Sequence, residues 1–91
     1  MALYNITYEL KGADTDYASF YSILRSENAY NQCLKNSWFI ISDKSRAELY
    51  NILKSCLGNN DLILIVETDL GQMSGWLPSD SVEWLTKNKS V

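Results

Sequence analysis

Ninety-one residues suffice for one core and not for two, because a chain this short buries only about 60 to 65 % of its unfolded surface. With 46 % hydrophobic and 21 % charged residues the composition is that of a folding domain, and its longest apolar run falls far below the roughly 20 residues of a membrane-spanning helix. Histidine is absent, which excludes Ser-His-Asp and Cys-His catalysis and most zinc sites. A net charge of −3 speaks against a protein whose main task is gripping phosphates.

The expectation is therefore one domain over residues 1–91, placed in the cytoplasm because no basic region followed by an apolar stretch opens the chain. Cys33 and Cys56 form no CxxC and suggest neither a zinc knuckle nor a disulfide framework; both read as small buried apolar side chains.

In chain order, residues 2–10 predict a strand, since Tyr4, Ile6, Tyr8 and Leu10 alternate with Leu3, Asn5, Thr7 and Glu9. Lys11-Gly12-Ala13 breaks it, and Asp14, Thr15 or Asp16 supplies the N-cap of a helix over about 15–26. Tyr17, Phe20, Tyr21 and Leu24 give that helix an aromatic stripe at i, i+3, i+4, i+7. A hairpin follows, with strands over 30–34 and 37–42 and a turn at Lys35-Asn36. Ser45 and Glu48 spell a capping box for a helix to about residue 57, which Gly58 should end in the left-handed conformation. Residues 61–68 predict another strand, closed by Glu67 and Asp69 as edge charges; residues 73–76 predict a short one. Pro78 and Asp80 open a last helix carrying Val82, Trp84 and Leu85. The order β-α-β-β-α-β plus a short C-terminal strand and helix is that of an α+β, ferredoxin-like sandwich.

Such a sheet receives helices on one face only. Yet Trp38-Phe39-Ile40-Ile41 and Leu62-Ile63-Leu64-Ile65-Val66 are apolar on both faces, as in doubly covered strands. Part of the second cover can come from the tail with Trp76, Trp84 and Leu85. The remainder calls for an interface, and a two-fold dimer is the simplest one, since one patch then meets its own copy. The expected interface residues are Trp38, Ile40, Ile63, Ile65, Trp76 and Trp84.

Five stretches carry a family likeness: Tyr8-Glu9-Leu10, Asp14-Thr15-Asp16-Tyr17, Asn36-Ser37-Trp38-Phe39-Ile40, Asn60-Asp61-Leu62, and Ser74-Gly75-Trp76 with Glu83-Trp84-Leu85. Together they resemble the SinR-like proteins, grouped with the small CRISPR-associated subunit of the spacer-integration complex and the virulence-associated, toxin-type ribonucleases. In that broader family the first strand ends in Tyr-Asp, and the two aspartates of a dimer hold a divalent metal for phosphodiester cleavage. The matching position is Glu9, whose extra methylene fits poorly with an octahedral Mg²⁺ site at about 2.1 Å. The resemblance thus makes Glu9 the candidate catalytic and metal-binding residue. Asp14 and Asp16 could complete an acidic site with it, or simply cap the first helix and meet its positive end.

For polyanion contact the candidates are Lys35, Lys44 and Arg46, with Lys87 and Lys89 as a second group, although neither is interleaved with aromatics. The isolated glycines make no phosphate loop. The expected function is a non-catalytic homodimeric binding module of prokaryotic or phage origin, holding a protein partner or small nucleotide in or against nucleic-acid-directed immunity, with no cofactor. The alternative is an endonuclease of RNA or DNA with paired Glu9 residues at the dimer axis and Mg²⁺ as cofactor. A third reading, a scaffold for duplex nucleic acid, predicts steeply salt-dependent binding.

Overall fold

The alternation along the first strand makes it two-faced, and in the computed structural model this strand, β1 (Ala2–Glu9), lies inside the sheet between two antiparallel neighbours. The structure describes residues 1–89, the side chains of Asp14 and Thr15 excepted. A 3-10 turn (Asp14–Tyr17) leads into α1 (Ala18–Arg25), followed by β2 (Ala29–Leu34), β3 (Ser37–Ser42), α2 (Arg46–Lys54) and β4 (Leu62–Thr68). A second 3-10 turn (Leu70–Gln72) and α3 (Ser79–Lys87) complete the described chain.

The sheet runs β2-β3-β1-β4, each neighbouring pair antiparallel. It follows that β1 and β2 are parallel with β3 between them, and that β3 and β4 are parallel with β1 between them. A helix spans each of these two interleaved connections. The result is a small α+β domain with β1 and β3 central and β2 and β4 at the edges.

The principal core lies between the sheet and α1 with α2. Tyr4, Ile6 and Tyr8 from β1 meet Trp38 and Ile40 from β3, and Phe20, Leu24, Leu49 and Leu53 descend from the helices. Aromatic edges organise this layer: Tyr8 stands edge-on to Phe20 with centroids 5.1 Å apart, and the Trp38 indole donates to the Tyr8 hydroxyl at 2.9 Å. Arg25 lies over the rings of Tyr21 and Trp38.

On the opposite face Leu3, Phe39, Ile41 and Cys33 are buried by Leu85 of α3, with Trp84, Leu77, Met73 and Leu70 packed around them. The tail therefore covers the second face of β3 without help from another molecule.

Three local expectations are corrected. Residues 73–76 form no strand; the 3-10 turn Leu70–Gln72 and an irregular stretch carry the chain across the sheet. Neither the first 3-10 turn nor α1 has a side-chain cap, and their N-cap positions are Ala13 and Tyr17; the caps proposed for Asp14 and Thr15 fall on side chains outside the described ones. Gly58 does not adopt a left-handed conformation. Helix α2 ends instead by tightening, with the amides of Cys56 and Leu57 bonded three residues back and the Gly58 amide donating to the Asp61 carboxylate at 2.7 Å. The capping box stands as expected: Glu48 N–H donates to Ser45 Oγ, and Ser45 N–H to the Glu48 carboxylate, both at 3.1 Å.

Candidate functional site

Because side chains alternate along a strand, the register of β4 on β1 decides which of its apolar residues meets which layer. Ile65 stands opposite Ile6 and Ile63 opposite Tyr8, so both isoleucines are half-buried against the α1 and α2 core. Val66 stands opposite Asn5, Leu64 opposite Thr7 and Leu62 opposite Glu9, which puts them on the second face. There α3 does not reach them: Leu62, Leu64 and Val66 remain 58 %, 62 % and 43 % exposed. The second face is thus divided, one half sealed by the tail and the other an apolar row open to solvent.

Along the boundary of these halves lies a cavity of about 420 Å³. Phe39, Cys33 and Leu85 form its apolar depth, Leu70, Met73 and Leu77 one wall, and Val66 borders the open row. Asn5 and Ser37 in its lining belong to a small polar network: Asn5 Nδ2 donates to Ser37 Oγ at 2.9 Å and to the Trp38 carbonyl at 3.1 Å, and Thr7 Oγ1, outside the lining, donates to Asn5 Oδ1 at 3.2 Å. Every lining residue is uncharged. The volume falls within the range of about 300 to 1,000 Å³ that small-molecule sites occupy, and a mostly apolar wall with a few convergent polar atoms is their usual chemistry. Burial raises the Cys33 thiol above its ordinary pKa, and its Sγ donates to the Ser37 carbonyl at 3.3 Å, so it is an inert wall residue rather than a nucleophile.

Ser74, Gly75 and Leu77 line the cavity, while Trp76 between them takes no part in the lining and is 98 % exposed. No other large apolar side chain of the described residues is so fully in water.

The expected site residues scatter. Trp38 and Ile40 are 2 % and 0 % exposed beneath the helices, so they belong to the monomer core and are out of a second copy's reach. Trp84, on α3 itself, is half-buried against the second-face cluster, and Trp76 alone of the six is fully presented. Lys35 sits at the β2–β3 turn, whereas Lys44 and Arg46 follow the far end of β3, about 17 Å away at roughly 3.4 Å per residue, so the three do not form one basic patch. Lys44 is moreover committed to Glu27, whose side chain is 1 % exposed: their ion pair is 2.9 Å long, and Glu27 also accepts from the Ser42 hydroxyl. That partnership raises the Lys44 pKa.

Glu9 lies at the exposed end of β1 and pairs with the Lys11 ammonium at 3.0 Å. Asp16 is exposed, and the carboxylate of Asp14 is outside the described side chains. Among the described residues, no group of three or more His, Cys, Asp or Glu is gathered as a metal site.

Asn5, Thr7, Ser37, Leu62, Leu64 and Val66 were not among the expected site residues, although the run 62–66 reads as apolar on both faces. The signal for the last three was present, since a period of two along 62–66 separates them from Ile63 and Ile65; which set faces the helices depends on register with β1. No family model matches the chain, and neither a curated protein nor a solved structure does so.

Proposed function

We propose that this chain is a non-catalytic binding module with a ferredoxin-like fold that works as a two-fold homodimer, the open half of its second sheet face being the surface of self-association. Two interleaved β-α-β connections in one antiparallel sheet support the fold assignment. The observation that carries the dimer is the row Leu62, Leu64, Val66 on an edge strand: it is apolar, regular in register with β1, and free of the charge, proline or bulge that guards such strands. A contiguous apolar patch of this kind marks an interface, and a two-fold axis lets one patch cover its copy. Glu67 stands opposite Tyr4 on the helix side of the strand, and the next position of the row is the uncharged Thr68.

A further partner, a protein or a small nucleotide, belongs to the same proposal, and the SinR-like resemblance directs the search for it to nucleic-acid-directed immunity of prokaryotes or phages. The engagement of Glu9 by Lys11 on a solvated strand end favours the binding module over the Glu9 nuclease.

The test is mass by light scattering over a dilution series, with Leu64→Glu as the control variant. The expected result is a wild-type dimer and a folded monomeric variant. A wild type that stays monomeric at the highest concentration overturns the dimer, and Mg²⁺-dependent cleavage of RNA or DNA that disappears in Glu9→Ala overturns the non-catalytic reading.

A further inference from the structure

Placing an indole in water forgoes one of the largest apolar gains available to a single side chain, about 150 to 250 Å² of buried area. Trp76 does so almost completely, and it does so on the rim of an uncharged cavity large enough for a ring system. In the irregular stretch between Leu70–Gln72 and α3, Met73, Ser74, Gly75 and Leu77 all line the cavity, and Trp76, in their midst, does not. Trp76 is therefore set beside its own chain's cavity without filling it. Knob and hole thus occupy one patch, which is the condition for reciprocal insertion about a two-fold axis.

We propose that in the homodimer Trp76 of each copy fills the cavity of the other. This rests on the dimer reading above and assigns its anchor. The chemistry of the hole selects an indole. Its depth is apolar at Phe39, Cys33 and Leu85, and Asn5, Ser37, Thr68 and Ser74 in its lining are uncharged polar side chains of the kind that can meet an indole N–H. The absence of charge among the lining residues disfavours a phosphate-bearing ligand in the same place. Tryptophan in a desolvated pocket at the centre of an interface is the commonest kind of binding hot spot.

Two variants test this, both at positions exposed enough to leave the fold intact: Trp76→Ala removes the knob, and Val82→Trp places the chain's own indole over the mouth, where half-exposed Val82 lines the cavity. Dimer dissociation constants are measured by sedimentation for wild type, each variant and the double variant, with circular dichroism as the check on folding. Each single variant is expected to raise the dissociation constant by at least about 30-fold, and the double variant by little more than either. A wild-type dimer whose affinity neither variant changes overturns the knob and leaves the dimer standing. A loss in Trp76→Ala without one in Val82→Trp places the indole elsewhere and overturns the cavity assignment. A wild type that is monomeric throughout removes both.

Discussion

Asp61 accepts hydrogen bonds from the Lys11 amide at 2.8 Å, the Tyr17 hydroxyl at 2.8 Å and the Gly58 amide at 2.7 Å, tying the end of β1, the entry to α1 and the exit of α2 to the start of β4. The two amides, Lys11 first, hold its carboxyl below the usual carboxylate range, and the Tyr17 hydroxyl adds to this. Burial and the bond to Asp61 push the Tyr17 hydroxyl upward, as burial does for Tyr4. The signs then fix the pH profile. A carboxyl with a lowered pKa contributes stability above its unfolded value of about 3.9, and the contribution fades as pH falls through the folded value. The raised groups, Tyr4, Tyr17 and Lys44, contribute below about 10 and lose their contribution as pH climbs through their folded values. Thermal melts should therefore show a plateau around neutrality with a fall on each side. In Asp61→Asn the neutral midpoint should drop and the acid limb should shrink; an acid limb identical to that of the wild type would remove Asp61 from this role. Gly12 belongs to the same cluster, since a Cβ there would come within 2.9 Å of the Tyr17 oxygen that its amide donates to. The Ser45-Glu48 box was legible because its partners are three residues apart, whereas the three-way role of Asp61 was hidden because two of its donors are 50 and 44 positions away.

Among the elements, α3 and β4 show how the same kind of apolar residue meets different fates. Leu85 is buried between α3 and the sheet, while Leu64 stands on the uncovered half of the same face. Leu85→Ala is expected to destabilise the fold by about 2 to 5 kcal/mol, through lost burial and the cavity left behind. Leu64→Ala should fall within about 0.5 kcal/mol in the dilute monomer and still weaken association. Chemical denaturation at low concentration measures both, and equal losses would mean that Leu64 already has intramolecular cover. Periodicity identified the principal strands and helices, because alternation and i, i+3, i+4 spacing are local properties. It did not reveal that the tail would run over β3 and stop short of β4, which depends on where Leu70–Gln72 turns the chain; a predicted strand at 73–76 took the place of that turn.

At the scale of the molecule, fold and association are coupled by mass action: if two copies shelter the open half-face, the native state is favoured by concentration while the unfolded chain is not. The thermal midpoint should then rise with protein concentration for the wild type and stay constant for Leu64→Glu. A midpoint independent of concentration in both would mean that the folded chain melts alone. The strand order has another consequence. β1, synthesised before the other three strands, ends in the middle of the sheet, and its partners begin only at Ser37 and Leu62. Of the three pairings only the β2–β3 hairpin is local. On the ribosome, one edge of β1 stays open until the stretch that will become β4 has emerged, so the newborn chain passes through a stage in which its central strand is the one most exposed to wrong partners.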